Sequence, residues 1–182
     1  MEQGIATYIK GAIKNETRSQ EVLYRYCFEN LMKVCMRYHT SEADAAASFN
    51  KAMHKAFDKL KQYRQDGFFL AWVHKIVVNT CLNELRDQVR HSSGELKEAH
   101  AIELNAPPDT YSSISEKEIL SHVQQLAGTT RLVFNLYVME NYSHAEIAKL
   151  LGISEGTSRW HLNQAREKLA YMNVKKHSEN EQ

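Results

Sequence analysis

An all-α fold of two small helical domains is what this sequence predicts, and three observations predict it. Glycine and proline are scarce, 7 and 2 in 182 residues. Tight turns must then be few, which favours long helices over a many-stranded sandwich or barrel. Apolar residues recur at intervals of three and four through most of the chain, the period of a helix with one buried face. Both prolines, Pro107 and Pro108, sit in one acidic, serine-bearing stretch between two such helical blocks, and that stretch reads as a flexible linker. The first domain is expected over 1–91, the linker over 92–114, the second domain over 115–176 and a disordered tail over 177–182.

The elements follow in order. Ile5, Ile9, Ala12 and Ile13 mark a first short helix. A longer one runs from about Thr17 to Tyr38, its apolar positions being Val22, Leu23, Tyr26, Cys27, Leu31, Val34, Cys35 and Tyr38. Ser41 and Asp44 can cap a third helix, with Phe49, Met53, Ala56, Phe57 and Leu60 on one face. Gly67 punctuates the chain before a fourth helix over 68–90. Its expected buried face is Phe69, Trp72, Val73, Ile76, Val77, Thr80 and Leu85. The long helices around one seam make a three- or four-helix bundle. In the second block, Ser115 with Glu118 and Ser143 with Glu146 have the spacing of capping boxes. Thr129 or Thr130 can start the helix that carries Leu132, Val133, Leu136 and Tyr137, and Ser154 can cap a last helix to about Met172.

Charge follows the same division. Net charge is +1 in total, but residues 1–90 carry +4, 91–114 carry −3, 115–176 carry +2 and 177–182 carry −2. Two mildly basic modules flanking an acidic segment hint at polyanion binding. No apolar run approaches the roughly 20 residues that span a bilayer, and no signal-peptide core opens the chain, so membrane insertion is not expected. Three cysteines, Cys27, Cys35 and Cys81, lie inside helical patterns, which argues against a disulfide framework and fits a reducing cytoplasm. No phosphate-binding glycine loop, nucleophile elbow or metal-ligand spacing occurs. Neither catalysis nor a metal or cofactor is expected.

The strongest functional signal is Ser143 to Leu162, SHAEIAKLLGISEGTSRWHL. Ala148 lets two helices cross closely, Gly152 makes the turn, Ile153 plugs the hinge and Ser154 caps the second helix. That is helix-turn-helix spacing. Ser154, Glu155, Thr157, Ser158, Arg159 and His161 are the candidate groove-facing donors and acceptors. Ser158 falls where such hinges usually place an apolar residue.

A second signal spans Tyr63 to Arg90. Tyr63, Phe68, Phe69 and Trp72 cluster around Gly67. Lys75, Asn79, Asn83, Arg86 and Arg90 repeat at helical spacing on the opposite face. Cations that track phosphates beside rings that receive unstacked bases suit melted or single-stranded DNA.

Taken together, LYRYCFENLMKVCMRY (23–38), GFFLAWVHKIVVNTCLNELR (67–86) and the helix-turn-helix with ISEGTSRWHL resemble the extracytoplasmic-function sigma factors, the two-domain branch of the sigma-70 family. The resemblance implies that the first domain, region two, binds RNA polymerase core and reads a melted −10 element. It implies that the second, region four, reads the duplex −35 element. It makes Asp44, Asn50, Lys51 and Phe57 the polymerase-binding candidates, and it implies promoter DNA and an anti-sigma factor as further partners. Tyr63, Phe68, Trp72, Lys75, Asn79, Arg86 and Arg90 become the −10 candidates. In the helix expected to face polymerase, two acids of the family pattern are Ala46 and Ala47, its Gln is Asn50 and its Glu is Lys51. Two other classes share parts of the pattern: a helix-turn-helix regulator that is not a sigma subunit, and a sigma mimic that binds an anti-sigma protein. Limited proteolysis of the free chain is expected to cut first within 91–115, and a first cut inside 17–38 would move the domain boundary.

Overall fold

The computed structural model describes residues 2–64, 67–91 and 116–179, and for residues 2–3, 86–91, 116–118 and 173–179 the backbone alone. The described residues form helices without a strand. They are α1 (Glu2–Ile13), α2 (Thr17–Tyr38), α3 (Glu42–Asp58), α4 (Phe69–His91), α5 (Glu116–Gln124), α6 (Gly128–Phe134), α7 (His144–Leu151) and α8 (Glu155–Glu179). A 3-10 turn, Leu60–Gln62, follows α3, and a π turn, Asn135–Met139, prolongs α6. Contacts divide the chain into two compact units, Met1–Glu84 and Leu85–Gln182. The boundary falls inside α4. The expected linker and the Ser115–Glu118 capping box lie outside the described residues.

In the first unit α1 turns back onto α2 through Asn15, which adopts a left-handed φ of 62°, a conformation asparagine tolerates. Gly11 makes that approach close. A Cβ there would stand 2.2 Å from the Ser19 hydroxyl and 2.9 Å from its Cβ. Leu23, Cys27, Leu31, Val34, Cys35 and Tyr38 bury one face of α2, and Ala45, Phe49, Ala52, Met53 and Ala56 one face of α3. On α4 the buried stripe is broader than expected. Val73 and Val77 are joined by Val78, Cys81 and Leu82, while Trp72 and Ile76 are only half-buried. The reason is that α4 meets two partners. Cys81 lies 3.8 Å from Cys35 of α2, and Glu84 bonds to Ser48 of α3. Burial pushes the Cys27 thiol up to about 12. The bond to Cys35, and then burial, raise that of Cys81.

The second unit buries Val123, Leu126, Leu132, Val133, Leu136, Ile147, Leu162, Ala165 and Leu169. Helix α6 starts earlier than its threonines suggested. Ala127 is its N-cap, and its carbonyl accepts the Arg131 amide at 2.8 Å. Thr130 falls in the first turn of the helix and does not cap it; its hydroxyl lies 2.9 Å from Nδ1 of His161. Helix α8 also outlasts the expected start of a tail at 177. It runs to Glu179, since no glycine or proline interrupts it after Gly156. Residues 180–182 lie outside the described ones.

Gly152 closes α7 with φ 70° and ψ 34°. A Cβ added at Gly152 would meet nothing within 4 Å, so only backbone strain would penalise a side chain there. Gly152→Ala is expected to cost about 1–2 kcal/mol, and Gly152→Asn less. Urea unfolding followed by Trp160 fluorescence, in a Trp72→Phe background, measures the second unit alone.

Candidate nucleic-acid interface

The helix-turn-helix is assembled from local capping chemistry. The Ser143 hydroxyl oxygen accepts the Glu146 amide at 3.3 Å. The Glu146 carboxylate accepts the Ser143 amide at 2.9 Å and its hydroxyl at 2.7 Å. These bonds hold the Glu146 carboxyl below the usual carboxylate range. At the other end, the Gly152 and Ile153 amides both donate to the Ala148 carbonyl, at 2.9 and 3.1 Å. The chain then reverses, and the Ser154 hydroxyl oxygen accepts the Thr157 amide at 3.0 Å, starting α8.

Of the residues expected to face a groove, Ser154, Glu155 and Arg159 are exposed and Thr157 is half-buried. Glu155 and Arg159 form an ion pair at 2.8 Å. An exposed pair of this kind contributes little, so both groups can be released to base edges. His161 is half-buried. Its Nδ1 is engaged by Thr130 at 2.9 Å, leaving the Nε2 edge, and burial lowers its imidazole. Ser158 does not face a groove. It is fully buried, and its hydroxyl lies 2.9 Å from Nδ1 of His144. It therefore occupies the hinge position as a polar plug. His144 stacks on Tyr137 with ring centroids 4.5 Å apart. Burial, and then the charges of Arg159 and Arg166, lower its pKa against the opposing pull of Glu155. Further along α8, the Lys168 ammonium donates to the Gln125 carbonyl at 2.8 Å.

In the first unit Tyr63, Phe69 and Trp72 form one cluster, with centroid separations of 5.3 to 6.0 Å. The Tyr63 hydroxyl donates to the Gly67 carbonyl. Phe68 is 68% exposed. Beside the cluster lies a cleft of about 150 Å³ lined by Ile5, Ala6, Ile9, Tyr26, Tyr63, Gly67 and Phe69. Lys75, Asn79 and Asn83 are exposed along α4, as a stripe requires, while the side chains of Arg86 and Arg90 lie outside the described residues.

On α3, Asp44 is part of the N-cap. It offers its amide to the Ser41 hydroxyl oxygen at 3.1 Å, and its carboxylate accepts the Ser41 hydroxyl at 2.7 Å. Asn50 accepts the Tyr24 hydroxyl at 2.6 Å. Lys51 donates to Glu84 at 2.9 Å. Phe57 is half-buried.

Residues 23–91 match the family model for sigma-70 region 2, and residues 116–169 match that for sigma-70 region 4. The chain is 30% identical over 159 residues, 80% of its length and 76% of the relative's, to the ECF RNA polymerase sigma factor SigM of Mycobacterium tuberculosis. This chain is an extracytoplasmic-function sigma factor. It is 25% identical over 165 residues to the RNA polymerase sigma-H factor of Pseudomonas aeruginosa, across 85% of this chain and 86% of that one. Among solved structures, the sigma factor RpoE in complex with the anti-sigma factor NepR from Bartonella quintana aligns with a TM-score of 0.49 at 20% identity, over 87% of this chain and 98% of that one. A sigma factor directs bacterial RNA polymerase to promoters, and the family consists of non-catalytic initiation factors.

Helical periodicity did not show that α1 walls the cleft beside the ring cluster. Ile5, Ala6 and Ile9 read as an ordinary apolar stripe, yet they line the cleft beside Tyr63 and Phe69. A ring cluster at the end of a loop needs an apolar wall, and that need was the signal available. Ser158→Ala is expected to lower the stability of the second unit by about 1 kcal/mol, the net worth of one hydrogen bond. Base preference at the −35 element should stay unchanged. Urea unfolding paired with a selection from a −35 library measures both, and altered preference would return Ser158 to the groove.

Proposed function

We propose that this sigma factor reads its promoter with two separate surfaces. The helix α8 enters the major groove of the −35 element by its N-terminal turns, with Ser154, Glu155, Thr157, Arg159 and the free edge of His161 meeting the DNA. Glu155 accepts from a cytosine amino group, and Arg159 donates to a guanine edge. The α4 stripe of Lys75, Asn79, Arg86 and Arg90 holds the backbone of the melted −10 strand. Tyr63, Phe68 and Trp72 sit beside the cleft that receives an extruded base. Flipping costs a few kcal/mol, and stacking returns about 1–3 kcal/mol per base. Polymerase core docks on α3 at Asp44, Asn50 and Phe57.

The observation that carries this reading is the turn at Gly152. It delivers a capped helix whose first exposed side chains, Ser154, Glu155 and Arg159, are those able to bond base edges. The remaining assignments rest on the family. The region-two domain spans 1–91 and the region-four domain 115–176, with 92–114 between them. The protein works in the cytoplasm, performs no chemistry of its own and is held in check by an anti-sigma factor, the kind of partner that the Bartonella quintana sigma factor is bound to.

Promoter-specific transcription with core polymerase tests the whole reading. The helix assignment has a sharper test. Arg159→Ala is expected to cost about 1–3 kcal/mol and to relax preference at one or two base pairs of the −35 element. Lys168→Ala, whose ammonium is spent on Gln125, should leave the preferred bases intact. A −35 library selection at two salt concentrations compares them, and the reverse outcome would mean that the helix docks the other way round.

A further inference from the structure

We propose that Glu84 is a positioning residue of this sigma factor: with Ser48 and Lys51 it clamps α3 to α4, and Lys51 serves that clamp and not the polymerase surface. The proposal rests on α3 being the polymerase-facing helix and α4 the strand-holding one.

Three helices converge at the site. His39 caps the C-terminus of α2, Ser48 and Lys51 lie on α3, and Glu84 lies on α4. His39 and Ser48 are buried, 6% and 1% exposed. The His39 Nε2 lies 2.7 Å from the Ser48 hydroxyl and 3.9 Å from the Glu84 carboxylate. The Ser48 hydroxyl donates to one Glu84 oxygen, and the Lys51 ammonium donates to the other at 2.9 Å. Buried polar groups need partners, and Ser48 has two, His39 of the α2 cap and Glu84 of α4. Burial alone raises the Glu84 carboxyl. The bonds from Ser48 and Lys51, with the nearby charge, outweigh that effect and leave it below the ordinary carboxylate range.

The placement ties the two working faces together. Glu84 follows Asn83 of the α4 stripe by one residue, roughly 100° round the helix. Lys51 follows Asn50 by one residue, and Asn50 is anchored to Tyr24 of α2 at 2.6 Å. One turn of α3 is thus pinned to α2 on one side and to α4 on the other. Polymerase bound to the exposed face of α3 then presents the α4 stripe to the opening strand in a fixed register. Loss of the clamp leaves docking intact and slows opening.

The test is a charge swap in the full chain with core polymerase: Lys51→Glu, Glu84→Lys and the double swap. Core affinity is read by competition against a second sigma factor. Opening is read on duplex promoter and on a pre-melted bubble. Each single swap is expected to slow opening on duplex about fivefold, the upper end for one exposed pair. Core affinity should stay within about twofold, and the bubble template should cancel the loss. The double swap should restore opening. Lys51→Met and Glu84→Gln guard against misfolding by Glu84→Lys, which reverses the charge beside buried Ser48. Their effects should not add, the double being no slower than the slower single. Lowered core affinity in Lys51→Glu that the double swap does not recover would place Lys51 at polymerase and overturn the clamp. Additive losses, or unchanged opening in Glu84→Gln, would overturn it as well. A wild-type chain that directs no initiation would overturn the underlying reading and the proposal with it.

Discussion

Burying one apolar stripe per helix sets each helix's rotation about its own axis, and that rotation decides which side chains are left to meet DNA or polymerase. With no strand among the described residues, no sheet supplies an independent frame. On α4 the burial of Val73, Val77 and Cys81 turns Lys75, Asn79 and Asn83 outward. On α8 the burial of Ser158, Leu162, Ala165 and Leu169 turns Glu155 and Arg159 outward. The proposed binding faces are the complement of the core. A substitution that rotates either helix would act on both at once.

Polar groups inside the seams add register to that rotation. Apolar contacts tolerate sliding, because one aliphatic neighbour is much like another. A hydrogen bond does not, because it fails outside a narrow range of distance and angle. Ser158 with His144 sits at the α7–α8 crossing, Thr130 with His161 joins α6 to α8, and Ser48 with Glu84 joins α3 to α4. Each pair costs desolvation and returns a defined relative position of two helices. For the proposed reading, in which each unit presents a helix to a different form of DNA, such position matters more than the last increment of stability.

Sequence by itself determined what depends on near neighbours. Helical periodicity, the Ser143–Glu146 box, the Ser154 cap and the left-handed turn at Gly152 are all made by groups within a few residues of one another. Those groups meet whatever the rest of the chain does, so the helix-turn-helix and both helical blocks were legible. Only the tertiary structure decided the pairs that lie far apart: Tyr24 with Asn50 at a separation of 26 residues, Thr130 with His161 at 31, and Lys51 with Glu84 at 33. Spacing cannot reveal them, because packing brings them together and local geometry does not. That is why Ser158 looked like an exposed groove residue, although it is buried against His144, and why the ion pair of Lys51 with Glu84 could not be read from spacing. A polar side chain reads as surface until the fold shows what it faces.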